Sequence, residues 1–144
     1  MTKRIVYNEK DGSVSILFPV LECGMTVEEI AAAHVPEGCV SMIADMSELP
    51  ENLDHLEAWV FDETKMTVRV DDVKLNALMA KRARHERDSI LAQVIDPVVS
   101  NQLRWSSMKP EQQKAWEDYR QALLDISKQA DFPLEIKWPV QPEQ

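Results

Sequence analysis

The sequence predicts an α+β protein: a small, mostly antiparallel N-terminal strand lobe with one short helix, then a C-terminal antiparallel helical hairpin with an extended tail. Three observations carry this. Short β-branched and aromatic runs separated by turn residues fill the first half of the chain. At Asp71-Asp72 the apolar period changes from two to three and four. From Pro110 onward, Ala115, Trp116, Tyr119, Ala122, Leu123 and Ile126 recur at helical spacing. The change of period places the domain boundary there, giving lobes 1–71 and 72–144.

Arg4 to Tyr7 and Val14 to Phe18 read as two strands joined through Asp11-Gly12, a hairpin signal. After Pro19, Thr26-Val27-Glu28-Glu29 has the form of a capping box. The Thr26 hydroxyl accepts from the Glu29 N–H and the Glu29 carboxylate accepts from that of Thr26, opening a helix through Ala33. Pro36 and Gly38 end it. Cys39 to Ala44 reads as a third strand, and Ala58 to Asp62 and Met66 to Val70 as a pair reversed by Asp62-Glu63-Thr64-Lys65. Asp71-Asp72 then caps a helix predicted to run to about Val94, where Asp96-Pro97 stops it.

The middle of that helix, Lys81 to Asp88, is almost entirely charged, so it is expected to face water. Pairs such as Arg82 with Glu86 and Arg84 with Asp88 lie at i,i+4 spacing. Val98 to Lys109 reads as a non-helical connection, and Pro110 as the first residue of the last helix. Phe132-Pro133 breaks that helix, and Glu135 to Trp138 alternates like a strand able to join a sheet edge in this chain or in a partner.

Composition narrows the function classes. The 144 residues are 44% hydrophobic, enough for a core without staples, and the net charge of −9 repels phosphate backbones and anionic lipid. No nucleic-acid partner and no membrane attachment are expected, because no apolar run is long enough to span and the basic cluster Lys81-Arg82-Ala83-Arg84 is interrupted by acids. With no signal-peptide run after Met1, the expected location is cytoplasmic. Cys23 and Cys39 form no zinc pattern and read as small buried hydrophobes.

His34, His55 and His85 each lack a carboxylate, Ser or Cys partner at a catalytic spacing, Asp54-His55 being the nearest approach. The three glycines allow no dinucleotide or phosphate loop. No catalytic residue, metal site or cofactor is therefore expected.

Four tryptophans stand out. Trp59 on an alternating strand and Trp116 on the helical stripe read as core, each able to bury about 150–250 Å². Trp105 and Trp138, beside Arg104 and Lys137, either cover the edge of the core or anchor another protein.

Several of these residues fall in a familiar order: Arg87-Asp88 with Leu91, Ser100-Asn101, Leu103-Arg104-Trp105, Trp116, Tyr119-Arg120-Gln121-Ala122-Leu123 with Asp125, Phe132-Pro133 and Trp138-Pro139. Over residues 82–139 the chain resembles the phage tail assembly chaperone and tail fibre assembly proteins. Thr26 to Ala32, Val35-Pro36 with Gly38, Leu49-Pro50 and Ala58-Trp59 look like modules that precede that region in phage proteins. Lys109 departs from the family pattern, which has Thr, Ser or Asp before the proline.

The resemblance implies a non-enzymatic chaperone of the infected host cytoplasm that binds a phage tail or tail-fibre polypeptide during morphogenesis. The alternative is a structural tail-tip or fibre-attachment component kept in the virion tail, and a homo-oligomer is compatible with either. The expected partner-binding residues are Trp105, Trp116, Tyr119, Arg120 and Trp138, with Trp116 and Tyr119 open also to a core role.

Overall fold

A computed structural model describes residues 2–20 and 24–143, so Cys23 lies outside the described residues. The order of elements is α+β, and the chain divides into two compact units, Met1–Leu78 and Met79–Gln144.

In the first unit β1 (Lys3–Asn8) is the middle strand of an antiparallel sheet in the order β2-β1-β3, with β2 at Val14–Leu17 and β3 at Ser41–Asp45. Ile5 faces Leu17 and Ile43, and Val6 faces Ile16 and Met42. Because successive side chains point to opposite faces, the adjacent and fully buried Ile5 and Val6 serve two cores. Ile5 packs with Val27 and Ile30 of α1 (Val27–His34), whereas Val6 joins Val14, Ala44, Leu49, Trp59, Phe61 and Val68. The last three belong to a separate hairpin, β4 (Trp59–Asp62) with β5 (Thr67–Val70). The central sheet therefore lies between a helix and a two-stranded layer.

The predicted capping box opens α1. Glu29 N–H donates to Thr26 Oγ1 at 3.2 Å, and Thr26 N–H donates to Glu29 Oε2 at 2.7 Å. Three strands start later than expected, β4 by one residue because Ala58 ends a 3₁₀ turn, Leu53–Ala58. The Cys39 N–H closes a turn onto the Pro36 carbonyl, which delays β3 to Ser41. Met66 takes a left-handed backbone, φ 51°, so it completes the turn and remains exposed.

Three further expectations are corrected. The helix α2 (Asp72–Ile90), capped by Asp71 Oδ2 accepting from Lys74 N–H, does not stop at Asp96-Pro97. A π turn, Leu91–Ile95, follows it and α3 (Asp96–Val99) continues beyond. Pro97 has no N–H to donate, and the ladder widens just before it, with Asp96 N–H reaching the Leu91 carbonyl. The connection after Val99 is itself helical: α4 (Gln102–Ser107) is capped by the Asn101 side chain accepting from Arg104 N–H at 3.1 Å. The last helix, α5 (Pro110–Leu124), ends before Phe132, and Ile126–Lys128 forms a tighter 3₁₀ turn.

The charged stretch of α2 is exposed apart from buried Ala83 and half-buried Arg87. The expected pair of Arg84 with Asp88 is replaced by other contacts. Asp88 takes Arg87 at 2.7 Å, and Arg84 lies over the Phe132 ring, 5.8 Å from its centroid.

At the start of α5 Lys109 supplies no capping oxygen, yet half a capping box survives because its N–H donates to Gln112 Oε1 at 3.0 Å. Lys109→Asp should add the missing acceptor and remove a cation from the positive helix end. The expected gain is about 0.5–2 kcal/mol, seen as a higher denaturant midpoint.

Four turn carboxylates are held below the ordinary range. Asp11 is lowered by the hydroxyl and N–H of Ser13, Asp45 by the N–H and hydroxyl of Ser47, Asp62 by the N–H groups of Lys65 and Thr64, and Asp125 by the side chains of Lys128 and Gln121. A carboxyl lowered on folding stabilises the fold above its unfolded value near 3.8, and that contribution disappears as pH falls through the folded value. The denaturant midpoint should hold between about pH 7 and 5 and fall below about pH 4. Replacing Asp11, Asp45, Asp62 and Asp125 together by Asn should flatten that acid limb.

Candidate partner-binding surface

The amphipathic stripe of α5 places Trp116, Tyr119 and Leu123 on one side, where they meet Ile95 of the π turn and Val98 of α3. Trp116 is 1% exposed and Leu123 and Ile95 are fully buried. The Trp116 and Tyr119 rings stand edge to face, 6.0 Å between centroids at 75°, the geometry that brings a positive ring edge onto a negative ring face. Burial raises the Tyr119 phenol above its usual value, so it stays neutral. The Trp116 Nε1–H is buried without a protein acceptor among the described residues.

Trp105 and Trp138 pack on this cluster from its edge, each half-buried, together with Met108, Ile90 and Leu91. Trp105 therefore sits on a helix and not in an irregular connection. Its carbonyl accepts from Gln113 Nε2 of α5 at 2.8 Å, which ties α4 to the last helix. The Ser100-Asn101 cap, followed by Gln102 and Leu103, was the sequence signal for that helix. Arg120 is exposed, and neither hydrogen bond nor ion pair engages it among the described residues. Asp125, one candidate partner on its own helix, is taken by Gln121 at 3.1 Å and Lys128 at 2.9 Å. Of the five predicted residues, four therefore share one aromatic cluster, and Arg120 stands outside it.

A residue without any sequence signal organises the segment that follows. Gln129 Nε2 donates to the Lys137 carbonyl at 2.9 Å, and Lys137 N–H donates to Gln129 Oε1 at 2.9 Å. One carboxamide thus satisfies both main-chain groups of a residue, as a neighbouring strand does in a hydrogen-bonded antiparallel pair. The predicted strand Glu135 to Trp138 pairs with no other strand: Glu135 closes a turn onto Asp131, and the chain loses regular structure from Ile136. Two shallow clefts border this segment. One, of about 370 Å³, lies among Gln129, Ala130, Asp131, Glu135 and Lys137. The other, of about 260 Å³, lies among Arg104, Ser107, Met108, Gln112, Trp116 and Glu143.

The histidines lie on three different elements. His34 ends α1, His85 lies exposed on α2, and His55 Nε2 is 3.3 Å from Asn52 Nδ2 in the turn before β4. Among the described residues no cluster of His, Cys, Asp and Glu could hold a metal ion, and no helix is long and apolar enough to cross a membrane. Cys39 is half-buried and unpaired.

Residues 80–143 match the phage tail assembly chaperone protein family. The match spans the second compact unit almost completely and leaves the strand-rich unit outside it. No curated protein and no solved structure matches the chain. Within the matched segment, the aromatic cluster gathers side chains from the π turn, α3, α4 and α5.

Truncations should separate floor from rim. Trp116→Ala should cost about 3–5 kcal/mol, as for other sealed large rings, and lower the melting temperature sharply. Trp138→Ala should cost clearly less, with the helical circular dichroism retained. A loss equal to that of Trp116→Ala would make Trp138 part of the core.

Proposed function

We propose that the protein is a non-enzymatic chaperone of phage tail assembly that binds a tail or tail-fibre polypeptide in the host cytoplasm and releases it for assembly. The observation that carries this reading is the rim of the C-terminal cluster. Trp105 and Trp138 leave part of their rings open, with Leu103 at 86% and Val140 at 89% exposed beside them in sequence. Trp105, a half-buried tryptophan set in a packed base, is the kind of side chain on which protein partners gain most of their binding energy, and Trp138 marks an apolar seat at the edge of that base. Trp116 and Tyr119 act as the rigid floor that holds the rim in place. Arg120, free on the same helix, supplies a charge-assisted bond to a client carboxylate.

A binder of this kind needs no nucleotide. By associating with the client while its apolar surface is open, it lowers the concentration available for aggregation, and release follows when assembly offers the client a better partner. The strand lobe, 1–71, and the helical region, 72–144, then divide the work, the first folding independently and the second binding the client.

Co-expression with the tail or tail-fibre protein encoded beside this gene tests the reading. The soluble fraction of that protein should rise several-fold in the presence of the chain, and the rise should be lost with Trp105→Ala. Mass spectrometry of purified particles should find the chain absent. Fixed stoichiometry in finished virions would instead make it a structural tail component.

A further inference from the structure

Residues 136–143 form a strap held by side-chain contacts and not by main-chain pairing. Among the described residues no main-chain hydrogen bond joins this segment to another backbone group. Its polar attachment is the Gln129 carboxamide on Lys137; the Trp138 ring packs on the aromatic cluster, Ile136, Pro139 and Pro142 are half-buried, and Glu143 lines the cleft beside Arg104, Met108 and Trp116. Just before it, the chain is pinned where Phe132 lies beneath Arg84. A fixed base with a lightly attached end is the arrangement that opens locally while the surrounding helices stay folded.

The manner of attachment identifies what else can occupy the same place. Gln129 reads only the N–H and C=O of Lys137, groups that every residue except proline carries, while the Lys137 side chain is exposed. Selectivity comes from the next position, where one large ring fits the edge of the cluster between the helices. The strap is thus a specimen of the segment the site accepts: extended, with a free main-chain N–H and C=O followed by a bulky apolar side chain.

We propose that the strap is a displaceable internal occupant of the client site. An extended segment of the phage tail protein, bearing an aromatic or large aliphatic residue, exchanges with it, placing its backbone on Gln129 and its side chain in the Trp138 seat. This rests on the chaperone reading above and adds the site, the form of the client segment and the competitor it displaces. The strap also keeps the apolar seat covered when no client is present.

A fluorescein-labelled peptide of residues 133–143 is the probe, titrated by anisotropy against full-length proteins. A strap closed about 90% of the time weakens any competitor about tenfold, so variants that loosen it should bind the peptide about tenfold or more tightly than the unaltered chain. Trp138→Ala empties the seat. Lys137→Pro deletes the N–H given to Gln129 while leaving every core side chain in place, and carries the comparison if Trp138→Ala does not fold. Adding Gln129→Ala to either variant should return the affinity to the wild-type value or below, and a peptide with its tryptophan replaced by alanine should not bind.

Equal affinity for the wild-type and loosened proteins, or no saturable binding to any, would overturn the proposal. Dimerisation of the loosened variants through exchanged straps, with no gain in client binding, would assign the site to a second copy and overturn it as well. In co-expression, Lys137→Pro should yield more soluble tail protein than the wild type. Equal, positive yields defeat the exchange and leave the chaperone reading intact. No yield from either protein defeats the chaperone reading, and the peptide titration still decides whether the strap exchanges.

Discussion

The C-terminal unit depends on the burial of one indole. Trp116 is sealed by Tyr119 and Leu123 on its own helix and by Ile95 and Val98 from the opposing segment. The π turn ahead of Pro97 is part of the same arrangement. By letting the helix continue past a residue that cannot donate, it sets Ile95 and Val98 against α5 within one bent element. Trp105 and Trp138 can rest half-open on the edge because the floor beneath them is closed.

The strand-rich unit solves a different problem with the same economy of residues. Two neighbouring apolar side chains in its middle strand, Ile5 and Val6, are both fully buried, and alternation sends them to opposite layers. A short sheet that would be marginal with one covered face gains a helix on one side and a hairpin on the other. Turn carboxylates finish the loops: Asp11, Asp45 and Asp62 each accept from a main-chain N–H two residues later.

Elements whose cause is local could be read from the sequence. The Asp-Gly hairpin, the Thr26-Glu29 capping box, the Asp71 cap and the Pro110 start all depend on residues within one turn of each other, and all four are present. The misplaced boundaries have causes that local pattern does not express. Pro97 reads as a stop because the widening of the ladder before it involves no special residue type. Trp105 reads as part of an irregular connection because six helical residues are too few for a periodic signal. Phe132-Pro133 reads as the end of α5, although the last periodic residue, Ile126, already lies in a tighter turn.

The candidate site divides along the same line. Sequence alone determined that the chain carries an aromatic stripe at helical spacing and three further tryptophans outside it, since composition and spacing are properties of the chain itself. Only the tertiary structure decided which rings are floor and which are rim, that Arg120 stands apart from them, and that Lys137 is held by Gln129. Burial depends on what the rest of the chain packs against a residue. A carboxamide that reaches a backbone eight residues away leaves no mark on periodicity, because any exposed glutamine would look the same.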